Sequence, residues 1–256
     1  MTDVTLSELA TAGAPLVTLA VPYASDITSV AAVGASLRKL DAGGCGVQDA
    51  GLHTATRIKE LNASLNPKIT TVAPFGVSLR RLNASGQRCG IDDGGLAQAV
   101  RIEALDASRN PKLSTVAPFA AALRRLNASH RCGISDDGLA HAVRIAVLDA
   151  TDNPNISTVA PFAASLRKLR AVGMKCRIGD AALVVATRLE ELAAAHNGRI
   201  TTVAPFAASL RVLHAEGTCG IDDASVVLAT GLKELHVAYN PKIRTVVPLP
   251  SQAASR

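Results

Sequence analysis

Apolar and polar positions along this chain repeat with a period of 43 or 44 residues, and each period splits into two unlike half-units. One kind reads LRRLNASGQRCGIDDGGLAQAV from Leu79, the other IEALDASRNPKLSTVAPFAAA from Ile102. Both carry apolar residues at the first, fourth and sixth places: Leu79, Leu82 and Ala84 in one, Ile102, Leu105 and Ala107 in the other. Alternation at places four and six has the two-residue period of a short strand with one buried face. A polar residue able to bond to a neighbouring backbone follows, Cys89 or Asn110, and then another apolar residue, Ile91 or Leu113. Half-units begin at Leu16, Leu37, Ile58, Leu79, Ile102, Leu123, Ile145, Leu166, Leu189, Leu210 and Leu232. Repeats of this kind bury their apolar faces against their neighbours, so the pattern predicts a stack of coils.

Two series mark the stack. Cys45, Cys89, Cys132, Cys176 and Cys219 alternate with Asn66, Asn110, Asn153, Asn197 and Asn240, and both are expected as a buried structural ladder. Between strands, Asp92 with Asp93, Asp136 with Asp137, Asp180, and Asp222 with Asp223 precede short apolar helical stretches. They are expected to cap those helices, because too few oxygens converge for calcium. Thr70, Thr71 and Pro74 suit the start of a 3₁₀ or helical turn. Thr5 and Glu8 suggest a short helix at about residues 5–12. The predicted layout is an N-terminal cap over residues 1–15, a solenoid over 16–247 and a tail over 248–256. With no amphipathic helix after Val247, the last coil is a candidate surface for self-association.

The frame L-x-x-L-x-L-x-x-N/C-x-L resembles the leucine-rich repeat. The Asn half-units, with NPKITTVAPF from Asn66, are similar to the repeats of internalin-type proteins, and CGIDDGGL from Cys89 is similar to the cysteine-containing repeats of F-box and ribonuclease-inhibitor-like proteins. The resemblance implies an α/β solenoid: a leucine-rich-repeat arc or horseshoe of about eleven coils, with a parallel sheet on the concave face and short helices or 3₁₀ turns on the convex face. Three departures stand out. The sixth place is mostly Ala rather than Leu, as at Ala42, Ala63, Ala84, Ala107, Ala128 and Ala150; most Cys half-units carry extra residues before the Cys; and Ala24 stands where the first Asn belongs.

Composition narrows the picture. The aromatics are four Phe and two Tyr, and Phe75, Phe119, Phe162 and Phe206 share one phase of the repeat, which predicts a buried stack. Equivalent cysteines should lie two strand spacings apart, roughly 10 Å, beyond the reach of about 7 Å for a disulfide. Reduced, buried thiols fit an intracellular, cytoplasmic setting. No run of 18 apolar residues occurs, which argues against a membrane span. Asp3 and Glu8, with no basic residue before the first apolar stretch, make a poor secretory signal.

Places two, three, five and seven should point outward and form columns. The second and third places supply Arg38, Arg80, Arg81, Arg124, Arg125 and Arg167; the fifth supplies Asn83, Asp106, Asn127, Asp149, Arg170, His214 and His236. This concave surface is the candidate dock for a protein partner, with basic and acidic third-place residues forming a register-holding ladder. His214, His236 and Glu216 offer zinc-type donors, yet exposed histidines on a repeat surface need no metal, and none is assigned. No catalytic constellation or cofactor motif is visible, so a non-enzymatic scaffold is the leading expectation. The alternatives are a phosphate-bearing or nucleic-acid ligand on the Arg columns, disfavoured because no exposed aromatic is expected to stack bases, and a secreted or surface glycoprotein module using Asn62, Asn83, Asn127 or Asn155.

Overall fold

The computed structural model describes residues 2–13 and 15–245. Tertiary contacts divide the chain into a first unit ending at Ala142 and a second beginning at Val143. In the first, helix α1 (Asp3–Thr11) precedes six strands: β1 (Thr18–Ala20), β2 (Lys39–Asp41), β3 (Glu60–Asn62), β4 (Arg81–Asn83), β5 (Ala104–Asp106) and β6 (Arg125–Asn127). The second holds β7 (Val147–Asp149), β8 (Lys168–Arg170), β9 (Glu191–Ala193), β10 (Val212–His214) and β11 (Glu234–His236). Within each unit every strand pairs in parallel with its sequence neighbour, place against equivalent place.

The connections are single turns. Four-residue α2 (Asp136–Leu139) and α3 (Asp180–Leu183), five-residue α4 (Asp223–Val227), and 3₁₀ turns such as Ala73–Phe75 and Ala117–Phe119 return the chain to the next strand. Proline just inside each APF turn sets the required φ and has no amide to leave unpaired.

The core follows the apolar frame. First-place Leu37, Ile58, Leu79, Ile102, Leu123, Ile145, Leu166, Leu189 and Leu210 are fully buried, as are the sixth-place alanines. Phe75 and Phe119 in the first unit, and Phe162 and Phe206 in the second, are buried where the 3₁₀ turns meet the core. Small sixth-place side chains leave room beside the strands that larger ones would overfill.

Asparagine and cysteine satisfy buried backbone differently. The Asn110 amide donates to Ala84 O at 2.9 Å and Ile91 O at 3.1 Å, while its carbonyl accepts from Lys112 N at 3.0 Å. Asn66, Asn197 and Asn240 repeat the arrangement. Cys89 donates its thiol to Ala63 O at 3.4 Å, and Cys45 Sγ accepts from Val47 N at 3.4 Å. All five thiols are free and buried. Burial pushes them up, Cys132 and Cys176 to about 11, because a thiolate there would lose its hydration.

The residue before each Asn marker, and one to three before each Cys, turns left-handed. Tyr23, Leu65, Arg109, Asp152, His196 and Tyr239 have positive φ, and in the intervening coils Gly44, Gly86, Gly173 and Gly217 do the same. The side chain of one lies over the glycine of the next: a Cβ on Gly217 would strike the His196 ring, and one on Gly86 would strike Leu65. These glycines therefore answer two demands, the φ and the neighbour's side chain. Only the pair Arg109 and His130 breaks the alternation.

The aspartate pairs differ from expectation. Asp92 and Asp222 do cap, accepting from Gly95 N and Ser225 N at 2.9 Å. The second aspartate of those two pairs instead crosses to the following coil. Asp93 accepts from Ser114 N and Oγ and from Thr115 N at 3.0, 2.5 and 3.3 Å. Asp49 and Asp180 clamp Thr70–Thr71 and Thr201–Thr202 the same way, and Asp223 reaches the amides of Arg244 and Thr245. Helix α1 joins the system, because Asp3 takes the same three bonds from Thr28 and Ser29. The helix starts at Asp3 and not at the Thr5–Glu8 pattern because Thr2 is its N-cap, with Thr5 Oγ1 accepting from Thr2 N at 3.4 Å. The anticipated uncapped coil after Val247 lies outside the described residues.

Candidate binding face

The second-place arginines are mostly engaged with their own coil. Arg38, Arg80, Arg167 and Arg211 turn Nη1 back onto carbonyls of the preceding turn, as from Arg80 to Ser78 O and Leu79 O at 3.1 and 3.2 Å. Among the described residues these carbonyls accept no amide of a neighbouring strand, so the guanidinium serves as a cap. Arg80 and Arg167 also lie 3.6 Å from Glu103 and Glu190 on the following coils.

Third-place charges form the ladder. Glu60 sits between Lys39 at 3.4 Å and Arg81 at 2.9 Å, and Lys168 pairs with Glu191 at 2.6 Å. All are exposed enough for water and salt to screen them, so each contributes at most about 1 kcal/mol.

Fifth-place residues have a local purpose that strand polarity alone did not reveal. Asp41, Asn62, Asn83, Asp106, Asn127 and Asp149 each accept a hydrogen bond from the amide two residues on, at 2.9 to 3.1 Å. Such Asx turns end the three-residue strand, and only a short side chain with an acceptor oxygen closes them. The uniform run from Asp41 to Asp149 therefore has a structural use, while Arg170, Ala193, His214 and His236 hold the same place at the ends of β8 to β11 without it. Arg170 leans back onto Asp149 at 3.2 Å.

Two candidates stand apart. Arg124 and Arg125, adjacent in one coil, are exposed, and among the described residues their guanidinium groups make no hydrogen bond or ion pair. The residue paired with Arg125 on β5 is Ala104, where Arg81 has Glu60 on β3. Near the end of the fifth-place column, His214 and His236 face each other across β10 and β11, their rings 4.2 Å apart and 8° from parallel. Glu216 Oε1 lies 3.4 Å from His214 Nδ1. Contrary to expectation, two aromatics are exposed, Tyr23 and Tyr239. They occupy left-handed positions beyond the strands, where the φ requirement, not the strand frame, decides which way the ring points. Among the described residues no helix is long and apolar enough to cross a membrane.

Sequential parallel strands, single-turn connections and an Asn/Cys ladder make this chain a leucine-rich-repeat solenoid. A similar solved structure is an internalin from Listeria monocytogenes, matched with a TM-score of 0.65 at 20% identity over 89% of this chain and 69% of that one. No protein-family model and no curated protein matches the sequence.

Proposed function

We propose that this protein is a non-enzymatic recognition scaffold, and that an acidic segment of a protein partner docks on the strand face around Arg124 and Arg125. The observation that carries this reading is the contrast between those two free guanidinium groups and their engaged equivalents, Arg80, Arg81, Arg167 and Lys168. An unpaired cation on the strand face contributes little to folding but leaves its guanidinium fork free to take a carboxylate bidentately, at the cost of ordering the side chain. The net charge of +6 favours an acidic partner. Five buried thiols support an intracellular, reducing setting.

Affinity capture from the native source tests the reading, with wild type compared against Arg124→Glu/Arg125→Glu and against Arg80→Glu. A protein retained by wild type and Arg80→Glu, released by salt and lost with the double variant, supports it. Equal retention by all three, or capture of nucleic acid alone, refutes it.

A further inference from the structure

The second unit gathers two imidazoles and a carboxylate at one point, with one oxygen left over. His214 and His236 hold equivalent places on paired strands, and the ladder bonds from Ala194 N to His214 O and from Ala215 N to His236 O, both 2.8 Å, fix the backbone beneath them. Glu216 follows His214 by two residues. Its Oε1 makes a long contact of 3.4 Å with His214 Nδ1, while its Oε2 is buried with no hydrogen-bond partner. One ligand atom from each of the three residues lies within 4.8 Å of the others, and among the described residues no other such group of His, Cys, Asp or Glu occurs.

A buried carboxylate oxygen without a donor is costly, and the protein supplies none. Parallel stacked imidazoles do not hydrogen-bond to each other; they present their ring nitrogens side by side. A single cation would answer both features. We propose that His214, Glu216 and His236 form a three-ligand site for a divalent transition-metal ion of the zinc class, with water completing the coordination.

The donor set selects the metal. Two imidazole nitrogens disfavour calcium and magnesium, which take oxygen ligands, and a carboxylate with two imidazoles suits zinc. Bonds of about 2.0–2.1 Å in a tetrahedron separate ligand atoms by about 3.3 Å, so the side chains must close in slightly and the rings splay. Room for that exists. His236 and the two partly exposed side chains border solvent, and the residue paired with His214 on its other side is the small Ala193. Glu234, exposed two residues before His236, adds negative charge nearby. The inference is independent of the docking proposal, because the free chain reads it directly.

The test is a calorimetric titration of untagged, chelator-stripped full-length protein with Zn²⁺, alongside visible absorption on adding Co²⁺. The expected result is saturable binding of one ion per chain, with Co²⁺ giving the strong bands of a four-coordinate site. His236→Ala and Glu216→Gln, each with an unchanged circular dichroism spectrum, should bind at least about 100-fold more weakly, since even second-layer partners of metal ligands are worth 10–100-fold. His141→Ala, altering an exposed histidine in the first unit, should bind as wild type does. Absence of one-to-one binding at micromolar Zn²⁺, or undiminished affinity in His236→Ala, overturns the proposal.

Discussion

Replacing Asn110 with Ala is the most searching test of how the coils hold together. The side chain is fully buried and makes three hydrogen bonds, two donated to Ala84 O and Ile91 O and one accepted from Lys112 N. Alanine leaves two carbonyls and an amide unpaired where water does not reach. Each unsatisfied buried group costs about 1–3 kcal/mol, which bounds the loss at roughly 3–9 kcal/mol. Local relaxation of the coil should bring the outcome to the lower half, about 3–5 kcal/mol. Asn110→Asp is the companion. It keeps the acceptor for Lys112 N but removes both donors and sets a carboxylate against two carbonyls, so it should destabilise at least as much. Urea unfolding followed by circular dichroism measures both, with the transition slope checked, because repeat arrays can lose two-state behaviour. If both variants unfold within about 1 kcal/mol of wild type, the ladder is not what closes the coils.

Three further outcomes follow from the same geometry. Gly217→Ala forces a left-handed alanine against the His196 ring and should cost about 1–2 kcal/mol for the φ alone, whereas Gly198→Ala, whose nearest neighbour would be Thr218 O at 3.6 Å, should be nearly neutral; thermal melts of the pair decide. The thiols should resist alkylation at pH 8 in the folded protein and all react once it unfolds. Their raised values also mean that the stability they contribute is intact below the ordinary thiol value of 9.0 and is lost as pH climbs toward about 11 at Cys132, which urea midpoints across that range would show. Asp3 is held below the usual aspartate value of 3.8, chiefly by the Thr28 hydroxyl, so its contribution is complete above that value and is lost as pH falls through the lower, folded one. Hydrogen exchange in α1 should therefore quicken on acidification in wild type and lose that dependence in Asp3→Asn.

What could be read from sequence was whatever repeats within one coil. The strands sit at places three to five, and the Asn and Cys markers are buried, because burial and period are carried by residues a few positions apart. Less legible were contacts that cross coils. Asp93 and Ser114 are 21 residues apart, and nothing local distinguishes Asp93 from its capping neighbour Asp92. Columns also concealed their internal uses. The uniform short fifth-place residues suggested a ligand surface, yet Asn83 and Asp106 close turns within their own coils. The arginines looked equivalent until Arg80 turned onto its carbonyls and Arg124 did not. The one visible cue was the third-place residue Ala104, which leaves Arg125 without the acid that Glu60 gives Arg81.

Site-specific photo-crosslinking bears most directly on the scaffold reading. A photoreactive residue in place of Ala104, paired with Arg125 across β5 and β6, and another in place of the exposed Val184 next to α3, would be irradiated in extract from the native source. The account predicts a discrete protein adduct from position 104, suppressed by added salt or by Arg124→Glu/Arg125→Glu, and none from position 184. Adducts from position 184 alone, or nucleic acid as the species joined at position 104, would contradict it.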